Sequence, residues 1–286
     1  MPEQNTEPKE RTTMWKKQAL SQRIQQARFR SRVWRRPLVW WRQRGIHPND
    51  VFIVSYPRSG TTWLRFVLFE ALTGDPAEFE TVNRGIPYVG RQATAPRLLP
   101  DGGRLIQSHE SYTRDVHRLI YIVRDPRAVL LSEYQWQLRT GFVKSGFDDF
   151  LDDFLKGRVN PFARWDDHAR IWLNHRMQDP NVHLVKFESL HSDTAETVGR
   201  LTDWLGLSLP RDRIEAAVIN NSVARMRQKE DRAPTEVLGR PQQVNNRFIN
   251  TGSLEGWRAR LSSEQARRTE ECFAKELELL GYERST

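Results

Sequence analysis

Cysteine occurs once in 286 residues, at Cys272. A lone thiol forms no internal disulfide, and a metal site built from clustered Cys ligands is excluded. No apolar run approaches the ~18 residues a membrane-spanning helix needs. The N-terminus also lacks the short hydrophobic segment of a secretory leader, so the cytoplasm is the expected compartment. Acidic excess is missing as well: Lys and Arg number 45 against 36 Asp and Glu, a formal charge of +9. That surplus is local. Residues 1–44 hold 12 basic and 3 acidic side chains, whereas residues 45–286 hold 33 of each. The high isoelectric point therefore belongs to an extension. A basic nucleic-acid face on the folded part is not expected. There is no internal repeat.

What is present suits one core. With 38% hydrophobic residues, the chain divides into a basic extension, 1–44, and one domain, 45–286. Residues 1–13 are polar and are expected to be unstructured. From Trp15 to Arg44 the pattern is helical and dense in Arg, with a ragged stripe of Leu20, Ile24, Ala27, Phe29 and Trp34 and a break expected at Pro37. Residues 15–44 suit peripheral contact with an anionic membrane surface. The alternative is a helix packed on its own domain, with Trp34, Trp40 and Trp41 buried and the Arg residues solvated; this is the reading the short stripe favours.

One stretch organises the remainder. Val51 to Val54 is a β-branched apolar run that reads as a buried strand, and Pro57 and Gly60 end it. A helix is expected from Thr61, through Trp63, Phe66, Val67, Leu68, Ala71 and Leu72, with Gly74 as its stop. Such a turn aims backbone N–H groups and the positive end of a helix at one place. Arg58, Ser59, Thr61 and Thr62 add a cation and hydroxyl donors. This is an anion site. It is not the G-x-x-x-x-G-K-[ST] loop of nucleotide triphosphatases, because the first Gly is absent and no Lys follows Gly60.

Further strands are expected at Leu105-Ile106, Leu119–Val123 and Asn181–Glu188. Helices are expected after Pro126, at Arg164–Met177, Thr194–Leu207 and Arg211–Asn221, and as one piece at Ser262–Leu280. This alternation implies an α/β fold, a central parallel sheet with helices on both faces in three layers. Asp75–Gly103 reads as a long surface connection and Arg227–Asn250 as a lid. In such folds the C-terminal ends of the strands line one crevice. His109 follows one strand and Arg124 another, so both belong beside the Arg58 loop. An imidazole there suits proton abstraction near neutral pH.

The motif Y-P-R-S-G-T-T-W (56–63) resembles the 5′-phosphosulfate loop of the cytosolic-type sulfotransferases, with Arg58 in place of the usual Lys. The resemblance implies a P-loop-like sulfotransferase fold and 3′-phosphoadenosine 5′-phosphosulfate (PAPS) as donor. It also implies a hydroxyl-bearing acceptor (carbohydrate, lipid or small molecule), in-line transfer and no metal. Q-S-H (107–109) resembles the family's K-[TS]-H, which implies His109 as general base, while Gln107 replaces a cation. Y-I-V-R-D-P-R-A-V-L-L-S (121–132) resembles the 3′-phosphate motif and implies Arg124 and Ser132 as its grip. Phe187 stands where the family has Tyr, Asn221-Ser222-Val223 resembles the adenine-flanking segment, and Trp63 is then the main base platform. F-I-N-T-G-S-L-E-G-W-R (248–258) resembles the closing motif, with Gly252, Trp257 and Arg258 kept. Asn250-Thr251 stand where the family carries Arg-Lys, which leaves Arg247 as the substitute cation. His168 is expected to be structural. The segments 75–103 and 139–163 are expected to form the acceptor pocket. Two rival readings share the anion loop. One is an ATP-dependent phosphotransferase, for which Asp125 is the sole acidic candidate at a neighbouring strand end. The other is a non-catalytic nucleotide-binding protein at a membrane surface.

Overall fold

Alternation decides the sheet. Val51, Ile53, Leu105, Ile120, Ile122 and Val185 pack into one apolar cluster, whereas Phe52, Val54, Ile106, Leu119, Tyr121 and Val123 pack into another. A period of two that is apolar on both phases can only be a strand buried on both faces. The computed structural model describes residues 32–111, 116–174, 176–233, 249 and 254–285. In it β1 (Val51–Ser55), β2 (Leu105–Ser108), β3 (Arg118–Val123) and β4 (Val182–Lys186) form one parallel sheet in the order β2-β1-β3-β4. The registers pair Val51 with both Leu105 and Arg118.

The helices fall to the two sides. Beginning at residue 32 they are α1 (Arg32–Arg42), α2 (Thr61–Thr73), α3 (Phe79–Gly85), α4 (Pro126–Arg139), α5 (Phe147–Leu155) and α6 (Trp165–Leu173). They continue as α7 (Phe187–Ser192), α8 (Thr194–Trp204), α9 (Arg211–Asn220), α10 (Val223–Arg232), α11 (Ser263–Cys272) and α12 (Ala274–Leu279). Side chains of α2, α3, α8 and α9 fill the first cluster and those of α4, α5, α6, α11 and α12 the second. The three-layer α/β/α fold expected from the sequence is therefore present. The local signals act as read. Gly74 caps α2 at φ 79° and donates to the Glu70 carbonyl, and Asp125 caps α4 by accepting from the Arg127 N–H.

Several boundaries differ. Pro37 does not break α1, which runs through it. Inward anchors at Arg35, Val39 and Gln43, one turn apart, hold the helix on the domain against the ~3 kcal/mol a mid-helix proline costs. Its faces differ in part from the expectation: Arg35 is buried and Trp40 and Trp41 are about half exposed, whereas Arg36 and Arg44 are solvated as expected and the Trp34 side chain lies outside the described residues. The Gln92 amide donates to the carbonyls of Arg42 and Arg44, which ties the end of this helix to the segment around Gln92.

The segment 75–103 is not a surface connection either. It contains α3 and buries Ala77, Phe79, Val82, Ile86, Val89 and Leu99. Residues 181–188 divide into β4 and the first turn of α7. The C-terminal helix is two, split at fully buried Phe273, whose ring packs on Trp165 and Phe154. The first part of the expected lid is α10, with Lys229 and Glu230 buried; the remainder lies outside the described residues apart from Ala233 and Ile249.

Candidate active site

Each strand ends at one functional position: β1 at Ser55 and the 56–60 loop, β2 before His109, β3 before Arg124, β4 before Phe187. Parallel strands put all four ends on one side of the sheet, so the crevice is a product of topology.

The loop after β1 is tightly wound. Arg58 takes φ 71° and Gly60 φ 92°, both left-handed, and Gly60 opens α2. A Cβ at Gly60 would approach Phe187 Cδ2 and Cε2 more closely than real contacts allow, so glycine suits this left-handed position. Left-handed backbone is uncommon for an arginine, and such strain collects at ligand-binding turns. Ser59 Oγ is buried without a hydrogen-bond partner, beside the first-turn N–H groups of α2 that no helix carbonyl can reach. Those groups, together with Arg58, fit the 5′-phosphosulfate end of the donor.

The structure brings Arg58, Arg124 and Ser132 together. Arg58 Nε donates to Ser132 Oγ at 3.2 Å, and Arg124 Nη1 donates to the Arg58 carbonyl at 3.1 Å. The Arg124 guanidinium lies 4.2 Å over the Phe187 ring. Trp63 meets Phe187 at 6.4 Å, edge to face, and donates its indole N–H to the Asn221 carbonyl at 2.9 Å, next to Ser222 at the start of α10. Phe187 thus sits between the Arg124 guanidinium and the rings of Trp63 and His191. Arg247, Asn250, Thr251 and Gly252 lie outside the described residues.

His109 is only partly exposed, and its nitrogens are both engaged. Nδ1 lies 2.8 Å from the Ser55 carbonyl oxygen, which can only accept, so Nδ1 carries the proton. Nε2 is then a bare lone pair, and the Gln107 amide Nε2, 2.9 Å away, donates to it. Ser55 Oγ also bonds Thr61 Oγ1, joining the phosphate turn to the strand that holds the histidine. Burial lowers the His109 pKa from 6.5 to about 4; the Ser55 carbonyl opposes this and the Arg65, Arg58 and Arg35 charges add to it. The imidazole is neutral at physiological pH.

Other acid–base candidates are already committed. His168 Nε2 donates to the His109 carbonyl at 3.1 Å and Nδ1 accepts from the Tyr121 hydroxyl at 2.8 Å, a positioning role. Glu110 is held by Arg35 through two hydrogen bonds. Both carboxylate oxygens of Asp125 accept from Arg127, which leaves the ATP–Mg²⁺ reading without its acidic residue. Sequence reasoning missed Ser55, the walls Tyr88 and Phe162 at 6.4 and 5.7 Å from the His109 ring, and Arg35 stacked 4.6 Å over Phe162. Only the position of Ser55, at a strand end before the loop, carried a signal.

The family model described as "Sulfotransferase domain" matches residues 48–281. The chain belongs to the sulfotransferase family. This sulfotransferase is 30% identical over 248 residues to mouse sulfotransferase 2A1, covering 81% of this chain and 85% of that one. It is 28% identical to human sulfotransferase 2B1, covering 81% and 67%. Its fold is similar to that of mouse sulfotransferase 7A1 complexed with PAP (TM-score 0.65, 22% identity, 83% and 86% covered). It is also similar to retinol dehydratase complexed with androsterone and PAP (TM-score 0.66, 20% identity, 83% and 82% covered). The reaction is sulfuryl transfer from PAPS to a hydroxyl acceptor.

Proposed function

We propose that His109 is the general base of this transfer. The observation that carries it is the tautomer: Nδ1–H is held on the Ser55 carbonyl, so Nε2 is the nitrogen able to take a proton. PAPS supplies the sulfuryl group. Arg58, Ser59, Gly60, Thr61 and Thr62 receive the charge that grows at its 5′-phosphate end, a preorganised electrostatic role. Arg124 and Ser132 hold the 3′-phosphate, and Trp63, Phe187 and Ser222 flank the adenine. His109→Ala should keep nucleotide affinity and lose turnover by roughly 10²–10⁴-fold. Retention of more than a tenth of the rate would place the base elsewhere.

For the acceptor we infer an apolar alcohol met at a membrane surface. Two observations support this. Aromatic rings of Tyr88 and Phe162 flank the base, and Leu38, Trp40 and Trp41 stand exposed on α1 beside Arg36 and Arg44, a combination suited to an anionic interface. Flotation with vesicles containing phosphatidylserine should carry the full chain at low salt and release a Trp40→Ser, Trp41→Ser variant. An acceptor screen in which a monosaccharide outruns a sterol would reject the acceptor class and leave the donor chemistry untouched.

A further inference from the structure

Gln107 is buried on β2 with both its backbone N–H and its carbonyl bonded to the 87–89 segment. Its N–H donates to the Pro87 carbonyl and its own carbonyl accepts from the Val89 N–H, each at 2.8 Å, and the residue is 1% exposed. The side chain therefore has little freedom except about its own torsions. Its amide nitrogen carries only hydrogens, so the 2.9 Å contact to His109 Nε2 is a donation into the lone pair. Its amide oxygen is buried and accepts nothing, which leaves the carboxamide held by one hydrogen bond alone.

An imidazole nitrogen has a single in-plane lone pair. An acceptor hydroxyl that gives its proton to Nε2 needs the place that the Gln107 N–H fills. We propose that Gln107 is a positioning residue for the transfer: its N–H occupies His109 Nε2 until the acceptor hydroxyl displaces it, and then turns to the acceptor oxygen. In the step that follows, the O–H proton passes to Nε2 and the histidine becomes imidazolium. The oxygen's electron pair forms the new bond to sulfur as the bond from sulfur to the 5′-phosphate oxygen breaks. The displaced N–H donates to the reacting oxygen while that oxygen bears charge. This inference rests on the reading of His109 as base.

A donor on the lone pair opposes protonation, a bare lone pair does not, and an anion favours it. The other groups around the imidazole are common to all variants at 107: Arg58 from the loop, Arg65 from α2, Arg35 from α1 with its partner Glu110, and His168 from α6. Changes between variants therefore report position 107.

The experiment is a pH titration of His109 by ¹⁵N-histidine NMR in the acceptor-free protein, alongside pH profiles of kcat/KM. The midpoint should rise from Gln107→Lys and wild type, through Gln107→Leu, to Gln107→Glu, with roughly a tenfold change in proton affinity between wild type and Leu. The Leu variant should also show a severalfold lower acceptor KM with a lower kcat, because the competitor and the later donor are lost together. The Nδ1–H tautomer is expected in the wild type. One midpoint shared by all four proteins, or an Nε2–H tautomer, overturns the proposal. If Leu does not fold, the Lys and Glu pair still separates the outcomes. Failure of the base reading shows itself differently, as turnover retained by His109→Ala whatever the titration reads.

Discussion

Arg35 grips Glu110 with a two-point fork, Nε to Oε2 at 2.8 Å and Nη2 to Oε1 at 2.7 Å, both side chains less than a tenth exposed. Glu110 follows His109, the proposed base, directly in sequence, so a residue of the basic N-terminal segment braces the chain beside it. Removing Arg35 leaves buried Glu110 with only the more distant Arg42, Nη1 at 3.9 Å, so the cost is at most the about 3–5 kcal/mol of breaking a buried pair. Arg35→Ala should lower the urea midpoint accordingly. A chain starting at Gly45 should be less stable than one starting at Arg32, by denaturant unfolding. Equal midpoints for these two would show that α1 is not part of the cooperative unit.

Gly60 and Gly74 begin and end the same helix with left-handed backbone, φ 92° and 79°, yet they differ in surroundings. A Cβ at Gly74 meets only Arg213 Nη2 at 3.5 Å, whereas at Gly60 it meets the Phe187 ring. Both alanine variants carry the left-handed penalty of about 1–2 kcal/mol. Gly60→Ala should lose a further ~1–3 kcal/mol from overpacking, together with nucleotide affinity. Thermal unfolding and calorimetry with PAP check both, and equal losses at the two positions would refute the steric account.

Arg124→Ala should weaken binding of 3′-phosphorylated nucleotide by at least ~2 kcal/mol, the scale for truncating a charge-assisted contact. Adenosine 5′-phosphosulfate, which lacks that phosphate, should bind almost unchanged. Lysine should restore little, because the planar stacking of Arg124 on Phe187 is a guanidinium property. Matching losses for the two ligands would mean that Arg124 only braces the Arg58 carbonyl.

Acid should destabilise the fold through the imidazoles of His109 and His168. Burial lowers His109 to about 4 and His168 to about 3, both from 6.5. The unfolded chain then binds more protons than the native one below pH 6.5, so stability is whole above that value. It falls toward pH 4 for His109 and toward pH 3 for His168, by up to about 1.4 kcal/mol per pH unit for each. His168→Gln should flatten that slope, read as urea midpoints from pH 4 to 7. A slope unchanged by the substitution would mean that His168 takes up no proton on unfolding.

The strand–turn–helix around Arg58, and the placing of His109 and Arg124 at strand ends, were legible because periodicity, Gly and Pro act within a few residues. The partners of those groups were not. Arg35 meets Glu110 across 75 residues and Ser55 meets His109 across 54, and no local pattern encodes such pairings. The buried face of 75–103 was hidden for another reason. Its Gly and Pro mark turns, and although Phe79, Val82 and Ile86 keep a helical spacing, the seven-residue α3 is too short for that spacing to stand out among them. Pro37 misled in the opposite sense, a strong local signal outweighed by tertiary anchors.

Ser55 touches both sides of the chemistry, its hydroxyl on Thr61 of the phosphate turn and its carbonyl on the Nδ1–H of His109. It is fully buried at the end of a strand bonded along both edges. If the turn holds the leaving group and His109 takes the proton, the strand serves as a ruler: it sets the span between those two places. On that reading an acceptor fits only when its hydroxyl stands within reach of both, whatever the rest of that acceptor looks like.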